Sequence, residues 1–369
     1  DNQGLCGEAG KFDIAGGIET ATGNAVVDVE TTLDANLPEF PKTDMTDGNG
    51  GYAFYANPEN VDYEITASKD VDYLNGVSTL DLVKIQRHIL GLESLDSPYK
   101  LIAADINNDN NVKASDLTQL RKLILGVITD LPNNESWRFV DAGQALTMST
   151  PLADIDYSVN INNLTSDMMD NSLVAVKVGD VTDNAVANLA NQTIEVRSSK
   201  VVTLTIAEQE VTAGETVEVA FTSEDFADVY GYQFTFELNG LEFAGVQSGA
   251  VTMTDANVGV LSNNIVTMSY SNSEARSAAN AEAVFTATFV ATQNGNLSNM
   301  IDVTSKVTPA EAYVGETLEI RDVVISTRGA ITNVDATELF QNEPNPFRGQ
   351  TVVGFNLAEA AAATITVFD

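Results

Sequence analysis

The sequence has few of the residues on which catalytic and redox sites most often depend. Among 369 residues there is one cysteine, Cys6, and one histidine, His88. A single cysteine excludes an internal disulfide framework and a cysteine-rich zinc site. A histidine-dependent hydrolase triad would need His88, which we interpret instead as a solvated helix position, because it lies in a repeated helical pattern beside Arg87.

Basic residues are also scarce. The chain has 18 Lys and Arg against 53 Asp and Glu, a formal net charge of −35. Such a chain is repelled by nucleic acid and by anionic membranes and attracts divalent cations, although the same charge would also serve solubility alone. With so many carboxylates, a pair at glycosidase spacing arises by chance, so we predict no enzyme activity from them.

Several other signals are missing. There is no Walker A loop, no GxGxxG between a strand and a helix, and no apolar run near the roughly 18 residues that span a bilayer. Because the chain begins at Asp1 rather than Met, we expect it to be a processed or truncated piece of something larger.

The stretch ADINNDNNVKASDLTQLRKLILG, residues 104–126, carries side-chain oxygens at alternate positions and then continues as an apolar-striped helix. Calcium takes six to eight oxygens at about 2.3 to 2.6 Å, and a 12-residue loop supplies them from positions 1, 3, 5, 7 and 12. At position 6, where glycine is usual, Asn110 tolerates the left-handed region. The alternative is an Asx-rich loop that caps the helix through Ser115 or Asp116. The predicted ligands are Asp105, Asn107, Asp109, the backbone carbonyl of Asn111, and Asp116.

A second copy of this pattern lies 35 residues earlier. Position 5 of this copy is Leu74, which cannot ligate, so either Asn75 moves in, a water fills the gap, or the loop is only structural. The helices after the loops carry matching apolar stripes, and each ends at a glycine suited to a left-handed cap, Gly91 or Gly126. The predicted ligands of the first copy are Asp70, Asp72, the backbone carbonyl of Gly76, and Asp81.

These paired loops and helices, residues 70–126, resemble a type I dockerin. The resemblance implies two calcium ions and docking of the helices onto a cohesin domain. Recognition in that family centres on the residues just before the last ligand, here Thr79 and Leu80 in one copy and Ala114 and Ser115 in the other. Because these pairs are not the repeated Ser-Thr pair of cellulosomal dockerins, the chain departs from ordinary scaffold docking.

Short alternating segments with glycine-rich turns predict a small β-sandwich from Phe12 to about Lys69, with Val27, Val29, Thr31 and Leu33 on one face. Its TDGNGGYAFYANP turn and strand and its closing YEIT strand resemble the B-type repeats of collagen adhesins and carboxypeptidase-regulatory-like domains. That resemblance implies a stalk or spacer. Residues 127–198 are less regular, with a strand at LVAVKVGDV. Nearby, GDVTDN echoes the start of another calcium loop, which we interpret as chance.

From Val201 to about Arg328 a second, larger sandwich is predicted, because long strands alternate aromatic with polar residues. Tyr232, Phe234, Phe236 and Leu238 are predicted to face one way. The segment resembles the cohesin family and related carbohydrate-binding sandwiches. A cohesin-like and a dockerin-like module in one chain imply docking within the chain, or head to tail between chains as filaments. The alternative is that the two modules never touch specifically.

The motif from Asn342 to Phe347, followed by AAATITVFD, resembles the C-terminal sorting domain of type IX secretion, without its last strands. This implies export across the outer membrane of a Gram-negative bacterium, to the surface or the medium.

The predicted fold is mainly β and multidomain, with two β-sandwiches flanking a small α-helical module of paired calcium loops. The predicted boundaries are a first sandwich at 1–69, a dockerin-like pair at 70–126, an irregular extension at 127–198, a cohesin-like sandwich at 199–330 and a partial sorting domain at 331–369. The predicted function is a non-enzymatic, calcium-stabilised extracellular or surface protein for structure or adhesion, with calcium, other copies of itself or other surface proteins as partners.

Two alternatives stay open. The chain would be the accessory C-terminal region of a secreted polysaccharide-degrading enzyme whose catalytic module lies upstream. Otherwise the second sandwich would bind glycans through exposed aromatic residues such as Tyr230 and Tyr232, although alternating aromatics in a sandwich are usually core.

Overall fold

A computed structural model describes residues 10–188, 200–262, 264–279 and 281–328, with the backbone of two short paired strands beyond them. The fold is mainly β, as predicted, and three α-helices lie in the described part of the chain. The helices are Thr79–Ile89 (α1), Pro98–Ala104 (α2) and Ala114–Ile124 (α3). The strands are Lys11–Thr20 (β1), Glu30–Asp34 (β2), Lys42–Met45 (β3), Gly51–Pro58 (β4), Tyr63–Ser68 (β5), Trp137–Asp141 (β6), Val159–Ile161 (β7), Leu173–Lys177 (β8), Val201–Ala207 (β9), Glu210–Val211 (β10), Thr216–Thr222 (β11), Val229–Leu238 (β12), Leu241–Ser248 (β13), Val258–Ser262 (β14), Ile265–Arg276 (β15), Ala283–Ala291 (β16), Gly295–Asn296 (β17), Ile301–Thr304 (β18), Glu311–Val314 (β19), Glu319–Arg328 (β20), Glu338–Leu339 (β21) and Phe355–Asn356 (β22).

The first sandwich consists of two four-stranded sheets, ordered β4-β1-β8-β6 and β3-β2-β5-β7. Strands β6, β7 and β8 follow the helices in sequence, so the helical module is inserted between β5 and β6 of this sandwich. The sandwich therefore extends beyond the predicted boundary at residue 69, and the segment predicted as an irregular extension supplies a strand or more to each sheet. The core includes Ile14, Ile18, Leu33, Phe54, Ile65, Trp137, Phe139 and Leu173.

This topology predicts how fragments behave. A fragment of residues 10–69 keeps β4 on one side of β1 but lacks β8 on the other, and it also lacks the buried Trp137 and Phe139. A sheet of few strands with an open apolar face is at best marginally stable in water. We expect 10–69 to be unfolded by circular dichroism and proteolysis and 10–188 to unfold cooperatively. A cooperative transition in the short fragment would contradict this topology.

The alternation predicted around β2 is correct over most of its length. Val29, Thr31 and Leu33 are fully buried. Val27 is only half-buried and Val26 is buried in its place, because Asp28 has a φ of 54° and interrupts the extended chain.

The second sandwich is a continuous sheet folded over an aromatic core. Its described strands follow the order β13-β16-β11-β9-β20-β19-β12-β15-β14, with β18 also on β12. The ring centroids of Phe221 and Phe285 lie 4.7 Å apart and those of Phe221 and Phe236 lie 5.2 Å apart. Tyr232, Phe234, Phe236 and Leu238 all belong to this core, which confirms their predicted common face.

The helical stripes and caps are also confirmed. Leu82, Ile85, Leu120 and Ile124 are buried in one cluster between the helices and the first sandwich, with Ile89 and Leu117 partly buried against it. Helices α1 and α3 are each followed by a left-handed glycine, with φ of 69° at Gly91 and 68° at Gly126. These positive angles suit glycine because it lacks the Cβ that makes the region costly.

Some predictions lie outside the described residues. They concern Cys6 and the sorting motif at Asn342 to Phe347. Among the described residues, no helix has the length and apolar character needed to cross a membrane.

Candidate calcium loop and helix-docking surface

Hydrogen bonds within the second loop connect its predicted ligands to one another. Asp105 Oδ1 accepts from the amide of Asp109 and Oδ2 from that of Asn110, both at 3.0 Å. Asp116 closes the loop, with Oδ1 accepting from the amide of Asn107 at 3.1 Å and Oδ2 from that of Lys113 at 2.9 Å. Positions 1 and 12 are thus tied to positions 3, 5, 6 and 9, so the side chains at both ends of the loop face the same centre.

The remaining predicted ligands lie around this centre. Asn107 Oδ1 accepts from the amide of Asp109 at 3.0 Å, and Asn107 Nδ2 lies 3.4 Å from Asp109 Oδ2. Asn111 donates its side-chain amide to the carbonyl of Asp109 at 2.9 Å. Asn110 has a φ of 63°, as predicted for position 6.

The electrostatics of this loop favour a bound cation. Asp105 and Asp116 are fully buried. Burial raises the pKa of both carboxyls, against the backbone hydrogen bonds that lower it, and the Asp116 charge further raises the pKa of Asp105. The Arg138 guanidinium lies 3.8 Å from Asp105 Oδ2, and Lys113 pairs with exposed Asp109 at 3.4 Å. Buried carboxylates with so little positive charge nearby are stabilised by a divalent cation.

Oxygens other than carboxylates are needed to complete such a site. In the described part of the chain, no three His, Cys, Asp or Glu side chains form a group that could hold a metal by themselves. The second loop offers amide and backbone carbonyl oxygens beside its carboxylates, which is the mixed donor set of calcium rather than of zinc.

The first loop is arranged differently. Asp70 Oδ1 accepts from the amide of Ser136, outside the loop, at 2.8 Å. Leu74 packs against the apolar cluster of the helices. The left-handed residues are Asp72 and Gly76, at positions 3 and 7, whereas the second loop has Asn108 and Asn110 at positions 4 and 6.

Helices α1 and α3 also contact the outer face of the second sandwich. We call this contact the docking surface, and hydrogen bonds lie at both of its ends. The amide of Thr79, at the start of α1, donates to Gln233 Oε1 at 2.7 Å, and its Oγ1 lies 2.7 Å from Ser269 Oγ. At the far end of α3, Arg121 Nη2 donates to Ser271 Oγ at 2.7 Å, and Thr267 Oγ1 donates to the carbonyl of Leu125 at 2.6 Å.

Apolar contacts fill the space between these polar ends. Leu80 and Val83 of α1 form a buried cluster with Tyr230, Tyr313 and Leu318 of the sandwich. A Cβ at Gly231 on β12 would lie 3.1 Å from Val83 Cγ2 and 3.2 Å from Thr79 Cγ2. The missing side chain at this position lets α1 approach the sheet closely.

Several residues of the docking surface were not predicted. Arg121 and Arg87 are ordinary helix-face cations in the sequence, yet Arg87 Nη1 donates to the carbonyl of Ser273 at 3.1 Å and its guanidinium lies 5.2 Å from the Tyr230 ring centre. On β12 and β15, Gln233 and Ser269 have the alternation of a solvent-facing row. This row contains few charged residues, and that is the feature of the sequence that could have indicated a covered face.

The recognition residues implied by the dockerin resemblance divide between the two copies. Thr79 and Leu80 are buried at the docking surface, whereas Ala114 and Ser115 are exposed. Only the first copy therefore uses the N-terminus of its helix in this contact.

The single histidine and the two tyrosines considered for glycan binding are all at least partly covered by the protein. His88 lies on α1, half-buried, with Nδ1 accepting from the amide of Leu95 at 3.2 Å, and burial lowers its pKa. Tyr232 is a core residue and Tyr230 is covered by α1, so neither is an exposed aromatic for glycans.

Comparison with known families identifies the helical module. Residues 68–125 match the dockerin type I domain, and type I dockerin domains are generally calcium-binding. The described chain is thus a modular β-protein with one segment, residues 68–125, that is similar to the type I dockerin domain. The match covers a small part of the chain, and no curated protein matches it.

The chain is also structurally similar to cohesins. A non-cellulosomal cohesin from Archaeoglobus fulgidus is 16% identical, with 34% of this chain and 86% of that chain covered and a TM-score of 0.25. The seventh ScaB type I cohesin from Pseudobacteroides cellulosolvens is 12% identical, with 35% and 88% covered and a TM-score of 0.26. A cohesin module of a family 33 glycoside hydrolase from Clostridium perfringens is 11% identical, with 34% and 99% covered and a TM-score of 0.24. The docking surface itself rests on the contacts within this chain.

Proposed function

We propose that this chain is a non-enzymatic structural or adhesion protein of the bacterial surface or exterior, stiffened by calcium, whose dockerin-like helices dock onto its cohesin-like sandwich. The single observation that carries the proposal is the docking surface. It combines a buried apolar cluster with hydrogen bonds from both helices to a sheet row of small polar residues. Covalently linked modules without specific affinity would leave such a row in water.

The docking makes a joint between two sandwiches. The helices are inserted in the first sandwich and packed on the second, so the contact ties the two β-domains together on top of the covalent connection. A joint of this kind suits a load-bearing or spacer protein. The same surfaces, exchanged between copies, would link chains head to tail, because a heterologous contact that does not close generates filaments.

Calcium in this proposal is held by the second loop. Asp105, Asn107, Asp109, Asp116 and the carbonyl of Asn111 would bind the ion. Because Asp116 lies in the first turn of α3, an ion there would hold the start of the helix whose other end reaches the sandwich through Arg121. Export by type IX secretion remains a prediction from the motif at Asn342 to Phe347, which lies outside the described residues.

Two separate fragments test the docking. Fragments 10–188 and 200–328 are mixed in calcium, and isothermal titration calorimetry is expected to give a one-to-one complex. The control is fragment 10–188 with Thr79→Asp, which places a charge against Gln233 and Ser269. If the unmodified fragments do not bind at concentrations near those of a tethered pair, about 1 mM, the docking proposal is wrong.

A further inference from the structure

The first loop contacts a segment of its own chain. Val181, just after β8, donates its amide to Asp81 Oδ1 at 2.8 Å. In the second loop the equivalent oxygen of Asp116 accepts from Asn107, the residue at position 3. The incoming segment has therefore replaced the loop's own position 3 at the carboxylate of position 12.

Further contacts hold this segment in place. Asn75 exchanges two side-chain hydrogen bonds with the backbone of Val186, at 2.9 and 2.8 Å. A Cβ at Gly76 would lie 2.6 Å from the Cα of Ala185, so the loop and the segment touch through their backbones. Asp180 folds the segment into a turn by accepting from the amides of Thr182 and Ala185.

A lysine is buried against the same loop. Lys177, at the end of β8, has only 4% of its surface exposed, and its Nζ donates to the carbonyl of Tyr73, position 4 of the loop, at 3.0 Å. Burial lowers the pKa of Lys177 to about 8, and the charges of Asp180, Asp72, Asp81 and Asp70 oppose that change. Three of these four acids are predicted calcium ligands of the first loop.

The donor set of the first loop does not fit calcium. Position 5 is an apolar side chain packed in the helix cluster, and position 1 accepts from Ser136, outside the loop. The carboxylate of position 12 accepts from Val181 of the incoming segment, where the second loop uses its own position 3. We infer that the first loop binds no calcium and that the Lys177 ammonium supplies the positive charge there. The lysine thereby holds residues 177–186 against the loop. Because the lysine is covalently part of the chain, the structure of the first loop does not depend on calcium, whereas that of the second loop depends on an ion that can dissociate.

Ion counting tests the inference directly on the full chain. Native mass spectrometry in calcium is expected to show one bound ion. The exposed acids Asp109 of the second loop and Asp72 of the first form a matched pair. Asp109→Ala is expected to lose the ion and Asp72→Ala to keep it. Two ions in the unmodified chain, or loss of an ion from Asp72→Ala, would overturn the inference.

The role of Lys177 needs a separate readout. In EGTA, Lys177→Met is expected to lower the melting temperature by about 5 to 10 °C, because it removes a buried hydrogen bond to the Tyr73 carbonyl and a positive charge that offsets buried Asp81 and Asp180. The exposed Lys122→Met is the matched control and is expected to change little. Adding Asp180→Asn to Lys177→Met is expected to restore part of the loss. If Lys177→Met melts like Lys122→Met, the lysine does not have this role.

This inference rests on the proposed function only for the expected count of one ion. Zero ions in every variant would reject the proposed second-loop site while leaving the first-loop result intact. Binding of the separate sandwiches is a different measurement, so a failure of docking is distinguishable from both.

Discussion

Replacing Leu80 and Val83 by aspartate is expected to separate the helices from the second sandwich while both domains stay folded. Both side chains are buried against Tyr230, Tyr313 and Leu318, and Tyr313 already donates its hydroxyl to buried Glu311 at 3.0 Å. Two added carboxylates would meet an apolar surface and a like charge. We expect a cost above about 3 kcal/mol, which is a more than roughly 100-fold shift of the docking equilibrium.

Small-angle scattering of the full chain measures this separation as a larger radius of gyration. The repeat supplies a matched control, because Ser115 and Thr118 lie 35 residues after Leu80 and Val83 and are exposed. Ser115→Asp with Thr118→Asp adds the same charge to the same module and is expected to leave the scattering unchanged. Equal scattering from both double variants would reject the docking surface.

A concentration series separates docking within a chain from docking between chains. If the contact is internal, light scattering gives a monomer at all concentrations, and Leu80→Asp with Val83→Asp changes shape but not mass. If the contact is exchanged between copies, the unmodified chain grows in mass with concentration and the double variant does not. The second result would make the protein a head-to-tail polymer.

The parts of this structure that were predictable from sequence are those encoded locally. Each of these features depends on residues a few positions apart: the stripe of Leu120 and Ile124, the glycines after α1 and α3, and the loop that ends at Asp116. Their periods and caps are fixed by backbone geometry, which any sequence with the same spacing shares.

The pairing of distant strands was not predictable in the same way. Strand β8 lies parallel to β1, with Ile18 opposite Leu173, and nothing in either segment specifies the other. Apolar alternation predicts that a strand has a buried face but not which strand covers it. For this reason the predicted boundary at residue 69 leaves out the later strands β6, β7 and β8 of the first sandwich.

The outer face of β12 illustrates a second limit. Gln233 and Thr235 alternate with core aromatics and have the pattern of a water-facing row, yet both are fully buried. What buries Gln233 is a module more than 100 residues away in sequence, as its 154-residue separation from Thr79 shows.

The difference between the two loops was visible locally. Leu74, at position 5 of the first loop, cannot ligate and was the sign of it in the sequence.

Removing calcium is expected to give the largest change in stability, and Asp109→Ala is expected to abolish this dependence on calcium. An ion bound only to the folded state stabilises it by about 3 to 4 kcal/mol at 100 to 1,000 times its dissociation constant. Asp109 is the exposed carboxylate of the second loop, so Asp109→Ala removes a ligand and leaves the buried hydrogen bonds of Asp105 and Asp116 in place.

In EGTA the same substitution removes a negative charge that raises the pKa of buried Asp116, but it also removes the ion pair with Lys113, which helps to lower the pKa of Asp109 itself. The two effects oppose each other, so Asp109→Ala is expected to melt close to the unmodified chain in EGTA and several degrees below it in calcium. Asp130→Ala, an exposed acid outside the loop, serves as the control and should follow the unmodified chain in both. Melting curves that do not depend on calcium would remove the ion from the proposed function, and the helix joint would then be held by its protein contacts alone.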